Sequence, residues 1–255
     1  SSAASDVYKR QRLEDVIGRI ENKEQKRFFM LCFSNMIKKV SFADPNISVP
    51  VKLNPERFIN NPDRKQSIEF KLKTLECIDV LEKFEAICEL NIKRIESLVG
   101  IKEKGITTEI ISNDARKLTD TYGGSQLLGD ESVDLILTSP PYAGAQKYIR
   151  SSWLNLYWLG KKQPEEIRLL NSKNIGREDY HKSDFNQKVK TDISAADVVL
   201  ESLYKEGKYE RAYIVGNYLN EIKLAFDESM RVLKKGGYMV IVIGNNTVCD
   251  RPFDT

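Results

Sequence analysis

The chain has 255 residues, of which 41% are hydrophobic and 30% charged, so it is long and apolar enough to bury a core. Forty Lys and Arg against 37 Asp and Glu give a formal net charge of +3, which excludes a strongly basic whole-chain surface for nucleic acid. Four cysteines without a C-x-x-C pair and one histidine argue against a zinc site or disulfide framework. No signal segment and no apolar run of about 18 residues occur, so we expect a cytoplasmic protein without a membrane partner.

Both ends of the chain carry segments that are not typical of a folded domain. Residues 6–11, DVYKRQ, resemble the translated end of a transposon used to prepare sequencing libraries, so residues 1–12 are predicted to be a non-native leader. At the other end, residues 249–255 follow closely on a predicted strand without a closing helix. We therefore expect the chain to be truncated at both ends.

A helical N-terminal region is predicted over residues 13–104. Apolar residues at helical spacing predict one helix or a broken pair over residues 13–40, and the prolines and asparagines of residues 41–63 indicate an extended connection. Residues 67–98 carry apolar side chains every three or four positions, which predicts one amphipathic helix of roughly 45 Å. We expect this helix to lie across its own domain, and a coiled coil remains the alternative.

Strands and helices alternate over residues 105–255. Strands joined by helical crossovers predict an α/β fold with a mostly parallel sheet and added N-terminal helices. The near-continuous apolar character of the second strand favours a position covered on both faces. The predicted strands are residues 107–112, 132–138 and 238–243, the predicted helices are residues 151–159 and 196–233, and a polar insertion covers residues 160–195.

Ligands of an open parallel sheet bind beyond the carboxyl ends of its strands. Polar or rigid residues follow each of the three predicted strands, so we expect these segments to meet at one edge. Two prolines directly after a strand must end it, because proline has no N–H for the ladder. Asn245 either lines this site or closes its strand as a turn residue. The three segments are Asn113-Asp114-Ala115, Thr138-Ser139-Pro140-Pro141-Tyr142 and Gly244-Asn245-Asn246.

The tetrapeptide Ser139-Pro140-Pro141-Tyr142 after a hydrophobic strand resembles the catalytic motif of bacterial site-specific DNA amino-methyltransferases. Members of this family methylate the exocyclic amine of cytosine or adenine. The similarity spans roughly residues 25–248 and implies a partial Rossmann-like methyltransferase sheet. Beyond the motif it rests on Tyr148-Ile149-Arg150, the segment 154–160, Asn174-Ile175-Gly176-Arg177-Glu178, the segment 231–237 and Ile243-Gly244-Asn245.

The resemblance implies catalytic roles for Ser139, Pro140, Pro141 and Tyr142. An exocyclic amine is a poor nucleophile because its lone pair is delocalised into the base. In the family picture, the Ser139 side chain and the Pro140 carbonyl accept hydrogen bonds from the amine, and the two prolines hold that carbonyl. Tyr142 stacks on the base once it has left the duplex. Such stacking contributes ~1–3 kcal/mol, comparable with the cost of unstacking the base.

The same resemblance implies S-adenosylmethionine as cofactor. It places Asp114 near the adenine of the cofactor, beside Ala115 and Thr138. The family also has a glycine-rich loop after its first strand, but no G-x-G follows an apolar strand here, and Gly123-Gly124 follows a polar loop. We therefore expect the isolated chain to bind the cofactor weakly and to be inactive, whereas the intact parent protein methylates DNA.

The resemblance implies double-stranded DNA as a partner and a cognate restriction endonuclease as a second partner. It also favours cytosine N4 over adenine as the methylated position, because Ser begins the motif. The Lys and Arg residues of the 160–195 insertion either contact phosphates and help select the target or form a solvated face. Two alternatives stay open: a non-catalytic nucleic-acid-binding protein that keeps the fold, and a methyltransferase acting on RNA or a protein amide. Trp153, Tyr157 and Trp158 are expected in the core, and His181 in a loop.

Overall fold

The computed structural model describes residues 2–99, 106–118, 128–142, 147–160, 163–244, 246–248 and 251–253. These residues form helices joined by loops, a parallel pair of strands (β1 and β2) and an antiparallel pair (β3 and β4). The helices are α1 (Ser2–Gly18), α2 (Lys23–Ile37), α3 (Pro62–Glu76), α4 (Val80–Val99), α5 (Tyr148–Trp158), α6 (Pro164–Ser172), α7 (Ser194–Lys205) and α8 (Tyr209–Val232). The strands are β1 (Val133–Thr138), β2 (Leu233–Ile241), β3 (Asn246–Val248) and β4 (Arg251–Phe253), and short 3-10 helices cover Pro55–Phe58 and Lys182–Asn186.

The chain divides into two compact units. The first contains residues 1–106 and 148–169, and the second contains residues 107–147 and 170–255. The expected start of the second domain near residue 105 lies close to this division. Helix α5, however, belongs to the first unit and not to the second, where its position in the sequence predicts it. None of the helices formed by the described residues is long and apolar enough to cross a membrane.

The first unit is built around a helical core. Helices α1, α2, α4 and α5 bury a shared apolar cluster in which Phe33 is fully buried and its ring meets the Trp158 ring edge-on at 5.9 Å between centroids. Two hydrogen bonds from the Asn155 amide to Ser34, one to the backbone carbonyl and one to the hydroxyl, join α5 to α2. The prediction of a core position holds for Trp158, but Trp153 and Tyr157 are about half exposed.

The predicted long helix over residues 67–98 is two helices, α3 and α4. The chain breaks at Cys77, and Asp79 then starts α4, because its carboxylate accepts hydrogen bonds from the backbone N–H groups of Leu81 and Glu82. An acidic residue followed three positions later by Glu is a sequence signature of a helix start. Apolar periodicity runs through this break, so periodicity alone hides it.

Helix α1 includes the residues that the sequence analysis set aside as a leader. Lys9 forms an ion pair with Asp79 at 3.5 Å, and Arg10 is buried with its guanidinium 5.5 Å from the Trp158 ring centroid. In the structure these residues therefore belong to the folded first unit. Their non-native origin stays a prediction.

The second unit contains the parallel strand pair β1–β2 and the helix pair α7–α8. The register pairs Leu135 with Tyr238 and Thr138 with Ile241, after an irregularity between Val133 and Leu135. Gly236 has a φ of 81°, which glycine adopts without strain, and so allows β2 to bulge there. The predicted helix over residues 196–233 is two helices, because Gly207 with a φ of 74° ends α7.

Two strand predictions are wrong. Residues 107–112 form no strand in the described part of the chain, because no described strand pairs with them, and β-branched residues specify a strand only with a partner. The β1–β2 pair is also not covered on both faces. One face exposes Leu135, Leu137, Tyr238 and Val240 by 45–74% of their surface.

The 160–195 insertion is more ordered than predicted. Helix α6 and a 3-10 helix capped by His181 lie within it, so His181 is a helix cap at the end of a loop. The following segment is bound to α7 and α8: the Val189 N–H donates to the Tyr204 hydroxyl, and the Asn220 amide donates to the Lys190 carbonyl. The insertion therefore presents a defined surface.

Candidate active site

The carboxyl ends of β1 and β2 form one edge of the second unit. Thr138 pairs with Ile241, and the Val242 N–H donates to the Thr138 carbonyl at 2.9 Å, so the parallel strands end side by side. The acceptor loop, Ser139 to Tyr142, leaves β1 at this edge, while Val242 to Gly244 leave β2. Two of the three segments expected to meet are thus adjacent, and Asn245 lies outside the described residues.

The residues of the acceptor loop differ in exposure. Ser139 is exposed, Pro140 is buried, and Pro141 and Tyr142 are half-buried. Within the described chain, neither the Ser139 hydroxyl nor the Pro140 carbonyl takes part in a hydrogen bond. The exposed Ser139 hydroxyl can therefore accept a hydrogen bond from an incoming donor such as an amine, whereas the Pro140 carbonyl belongs to a buried residue.

Tyr142 lies between two glycines of distant segments. A Cβ atom placed on Gly244 would be 3.4 Å from the Tyr142 hydroxyl oxygen, and one placed on Gly176 would be 3.1 Å from the Tyr142 carbonyl oxygen. Gly176 also has a φ of 77°, which favours glycine. These glycines let the chain approach Tyr142 closely, and they leave its ring half-buried at the edge of the sheet.

Asp114 reaches the same region through an ion-pair network rather than through a strand end. Its carboxylate accepts two hydrogen bonds from the Arg116 guanidinium, both at 2.9 Å. Arg116 also donates to Glu221 at 3.2 Å and to the Lys173 carbonyl at 3.0 Å. The Gly176 N–H, in turn, donates to Glu221 at 3.4 Å. These groups, here called the Arg116 network, therefore connect Asp114 to the glycine that abuts Tyr142.

The network shifts the pKa of its members in opposite directions. Hydrogen bonds from Arg116 lower the pKa of Asp114 below its usual value, although partial burial opposes them. Burial raises the pKa of Glu221, and Arg116 and the Gly176 N–H only partly offset this effect. The hydrogen bonds to Asp114 are also the largest cause of the raised pKa of Arg116. Arg116 is thus the cation on which both carboxylates depend.

The residues expected to bind S-adenosylmethionine do not complete a cofactor site. Both carboxylate oxygens of Asp114 are already held by Arg116, and the Thr138 carbonyl accepts a strand hydrogen bond. Ala115 is exposed and offers only backbone groups. Gly123 and Gly124 lie outside the described residues. The Asp114 carboxylate is thus engaged by Arg116 and Ala115 offers no polar side chain, and a role for these residues in cofactor binding stays a prediction.

Sequence reasoning missed Arg116 and Glu221 as parts of the site. Arg116 follows Asp114 by two positions, but its contact with Glu221 joins residues 105 positions apart, which no local pattern reveals. Gly176 had a signal, because it belongs to the Asn174–Glu178 stretch that resembles the methyltransferase family. The described residues contain no cluster of three or more His, Cys, Asp or Glu side chains suited to a metal ion.

An aromatic and basic surface follows Gly176 along the chain. The Arg177 guanidinium lies 4.1 Å from the Tyr180 ring centroid, and the Tyr180 ring packs edge-on against Tyr213 at 5.1 Å. Three exposed lysines on the next stretch form no salt bridge with a described residue; one of them lies over the Tyr204 ring, and another, Lys190, is close enough to Asp197 to help lower the pKa of that carboxyl. These basic-segment lysines are Lys182, Lys188 and Lys190.

Replacing Asp114 with asparagine is expected to lower the free energy of unfolding by about 1 kcal/mol near neutral pH, because the charged hydrogen bonds to Arg116 are weakened. The pKa of Asp114 is lower in the folded than in the unfolded protein. Asp114 therefore stabilises the fold above its unfolded pKa of about 3.9, and this stabilisation is lost as pH falls through its folded pKa. Denaturant titrations from pH 7 to pH 3 measure this difference.

The matched control for this prediction is Asp227→Asn, which removes an exposed helix-surface ion pair with Lys223 and is expected to change stability by less than about 0.5 kcal/mol. A stability difference between wild type and Asp114→Asn that stays constant with pH would contradict the assigned role of Arg116.

Comparisons with known proteins identify no relative. No protein-family model, no curated protein and no solved structure matches this chain.

Proposed function

We propose that this chain provides the acceptor side of a DNA amino-methyltransferase, which transfers a methyl group from S-adenosylmethionine to the exocyclic amine of an extruded cytosine or adenine. The observation that carries the proposal is the acceptor loop at the carboxyl ends of two parallel strands, where the Ser139 hydroxyl and the Pro140 carbonyl accept no hydrogen bond from a described residue. Ligands of parallel sheets bind at this edge.

The proposed chemistry assigns one task to each part of the loop. The Ser139 hydroxyl and the Pro140 carbonyl accept hydrogen bonds from the amine and orient its lone pair. The Tyr142 ring stacks on the base, offsetting part of the few kcal/mol needed to extrude it. In the overall reaction, nitrogen bonds to the methyl carbon, the carbon–sulfur bond leaves its electron pair on sulfur, and the amine loses a proton to solvent.

The donor side of the reaction is proposed to come from a longer protein. The chain has no G-x-G after an apolar strand, and Arg116 occupies the carboxylate of Asp114, so the described residues do not hold the cofactor by themselves. We expect calorimetry to show weak or no S-adenosylmethionine binding by the 255-residue chain. Tight binding would contradict this part of the proposal.

The experiment that tests the function is methylation in cells. A host without its own DNA methylases would express the chain together with its natural upstream sequence, and mass spectrometry would measure methylated nucleosides in its DNA. We expect N4-methylcytosine, with N6-methyladenine as the other outcome consistent with the proposal. Unmethylated DNA alongside methylated RNA or protein would replace it with the corresponding alternative acceptor.

A second candidate is a nucleic-acid-binding protein without catalysis. This candidate is favoured by the incomplete cofactor site together with the exposed basic-segment lysines, which form no salt bridge with a described residue. Genomic DNA that stays unmethylated, while the purified chain binds DNA in a salt-dependent manner, would support this candidate.

Replacing Lys182, Lys188 and Lys190 together with alanine is expected to weaken DNA binding and reduce its salt dependence. If each lysine contacts one phosphate, the slope of log affinity against log salt concentration falls by about 2 to 3. Fluorescence anisotropy at several salt concentrations measures the slope. The matched control replaces three exposed lysines of the first unit, Lys23, Lys73 and Lys93, and is expected to leave the slope unchanged. Equal slopes for all three proteins would show that the basic segment does not contact DNA.

A further inference from the structure

We propose that Gly176 and Glu221 are positioning residues for Tyr142: Glu221 fixes the Gly176 turn, and this turn fixes the acceptor loop. The inference rests on the proposed function, because it assigns to these residues the task of holding the base-stacking ring in place. Neither residue is proposed to contact the base.

The turn at Gly176 is anchored to α8 by both apolar and polar contacts. The preceding Ile175 packs against Tyr218 and Ile222 of α8, and the Gly176 N–H donates to the Glu221 carboxylate at 3.4 Å. Residues 218, 221 and 222 lie on neighbouring turns of one helix and so present a single rigid surface. The position of the turn is therefore set by α8.

Glu221 is itself held by Arg116. The guanidinium donates to the other carboxylate oxygen at 3.2 Å, and it also donates to the Lys173 carbonyl, three residues before the turn. Arg116 thus secures both the residue that anchors the turn and the chain that leads into it. Asp114 in turn holds Arg116 through two hydrogen bonds.

The turn reaches Tyr142 through a close contact that favours glycine. A Cβ atom on Gly176 would be 3.1 Å from the Tyr142 carbonyl oxygen and 3.4 Å from the Tyr218 ring, and the φ of 77° disfavours any other residue. Because α8 holds Tyr218, the Tyr142 backbone is the group that must move when a methyl group is added.

Gly176→Ala tests this inference, and Gly207→Ala is its matched control. Gly207 has a φ of 74° and no atom within 4 Å of its Cβ position, so both substitutions carry a similar backbone cost, a roughly 10-fold fall in the folding constant. Only Gly176→Ala adds the clash with Tyr142. We would incorporate fluorotyrosine at position 142 of the full chain and record its ¹⁹F NMR resonance. The resonance is expected to shift in Gly176→Ala and to stay in place in Gly207→Ala.

Conservative replacements of Glu221 test the anchor. Glu221→Gln keeps one acceptor oxygen for the Gly176 N–H but turns the other into an NH2 group that cannot accept from Arg116, so a small shift of the resonance is expected, whereas Glu221→Ala is expected to shift or broaden it more. Equal resonances in wild type, Gly176→Ala and Glu221→Ala would overturn the inference. Equal shifts in Gly176→Ala and Gly207→Ala would also overturn it, because the effect would then be general.

The cellular methylation assay separates this inference from the proposed function. With an active wild type, Gly176→Ala is expected to reduce methylation at least about 10-fold more than Gly207→Ala, in line with lost base stacking. If wild type is inactive while the ¹⁹F shifts follow the expected pattern, the proposed function fails and the contact stands. If wild type is active and the two alanine variants methylate equally, the positioning role fails and the function stands.

Discussion

Replacing Ser139 with alanine is expected to lower methylation of DNA by about 100-fold or more in the protein that carries the complete cofactor site. Removing one hydrogen-bonding group directed at a reacting centre typically has an effect of this size. The Ser139 side chain is exposed at the sheet edge and takes part in no hydrogen bond with a described residue, so the substitution removes an acceptor without disturbing the fold. Initial rates of methyl transfer and the free energy of unfolding would be measured together.

Tyr142 provides the companion variants for this prediction. Tyr142→Ala removes the stacking ring and is expected to weaken base binding by ~1–3 kcal/mol, which is about 5-fold to 150-fold. Tyr142→Phe keeps the ring and is expected to retain most activity. Full activity in Ser139→Ala, or equal losses in Tyr142→Ala and Tyr142→Phe, would show that the loop does not act on the base in the proposed way.

Replacing Arg116 with alanine is expected to lower the free energy of unfolding by about 2–4 kcal/mol, the largest stability effect predicted for this chain. The Arg116 side chain is only 17% exposed, and its loss leaves Asp114 and Glu221 with uncompensated charge in a partly buried setting. Arg116→Lys keeps the positive charge but cannot form the bidentate hydrogen bonds to Asp114, so an intermediate loss in the free energy of unfolding is expected. Arg168→Ala, which removes an exposed pair with Glu165, is the control and should cost less than about 0.5 kcal/mol.

The pH dependence of the Arg116→Ala effect gives a second readout. Burial raises the folded-state pKa of Glu221. The contribution of Glu221 to the free energy of unfolding is therefore fully present below its unfolded pKa and is lost as pH rises through its folded pKa. Without Arg116 this pKa rises further, because a charge that lowers it has gone. The stability difference between wild type and variant should therefore grow as pH rises from the folded pKa of Glu221 in wild type to its higher folded pKa in the variant. A loss independent of pH would assign the effect of Arg116 to packing alone.

The strand pair that carries the acceptor loop could be predicted from sequence. Residues 132–138 and 238–243 are apolar and β-branched, and they form β1 and the later part of β2 in parallel. The earlier part of β2 could not be predicted, because Lys234 to Gly237 show no alternation of apolar and polar side chains. These residues belong to the strand only because β2 bulges at Gly236. The parallel pair supports an α/β character for the second unit, while the Rossmann-like sheet stays a prediction.

The parts that sequence could not predict depend on partners far apart in the chain. The strand expected at residues 107–112 has the right composition but no partner among the described strands. Asp114 is nevertheless connected to the acceptor loop through Arg116, the long-range pair of Arg116 and Glu221, and the Gly176 turn. Two helix ends could not be predicted for a different reason. The start of α4 at Asp79 and the end of α7 before Gly207 are each marked by one residue, and the apolar periodicity continues across both positions.

Photo-cross-linking measures whether the acceptor loop holds an extruded base. DNA containing 5-iodocytosine would be irradiated with the 255-residue chain, and the cross-linked peptide mapped by mass spectrometry. We expect a cross-link at Tyr142 that is lost in Tyr142→Ala and weakened in Gly176→Ala. Cross-links confined to the basic segment at residues 182–190, with none at residues 139–142, would contradict it.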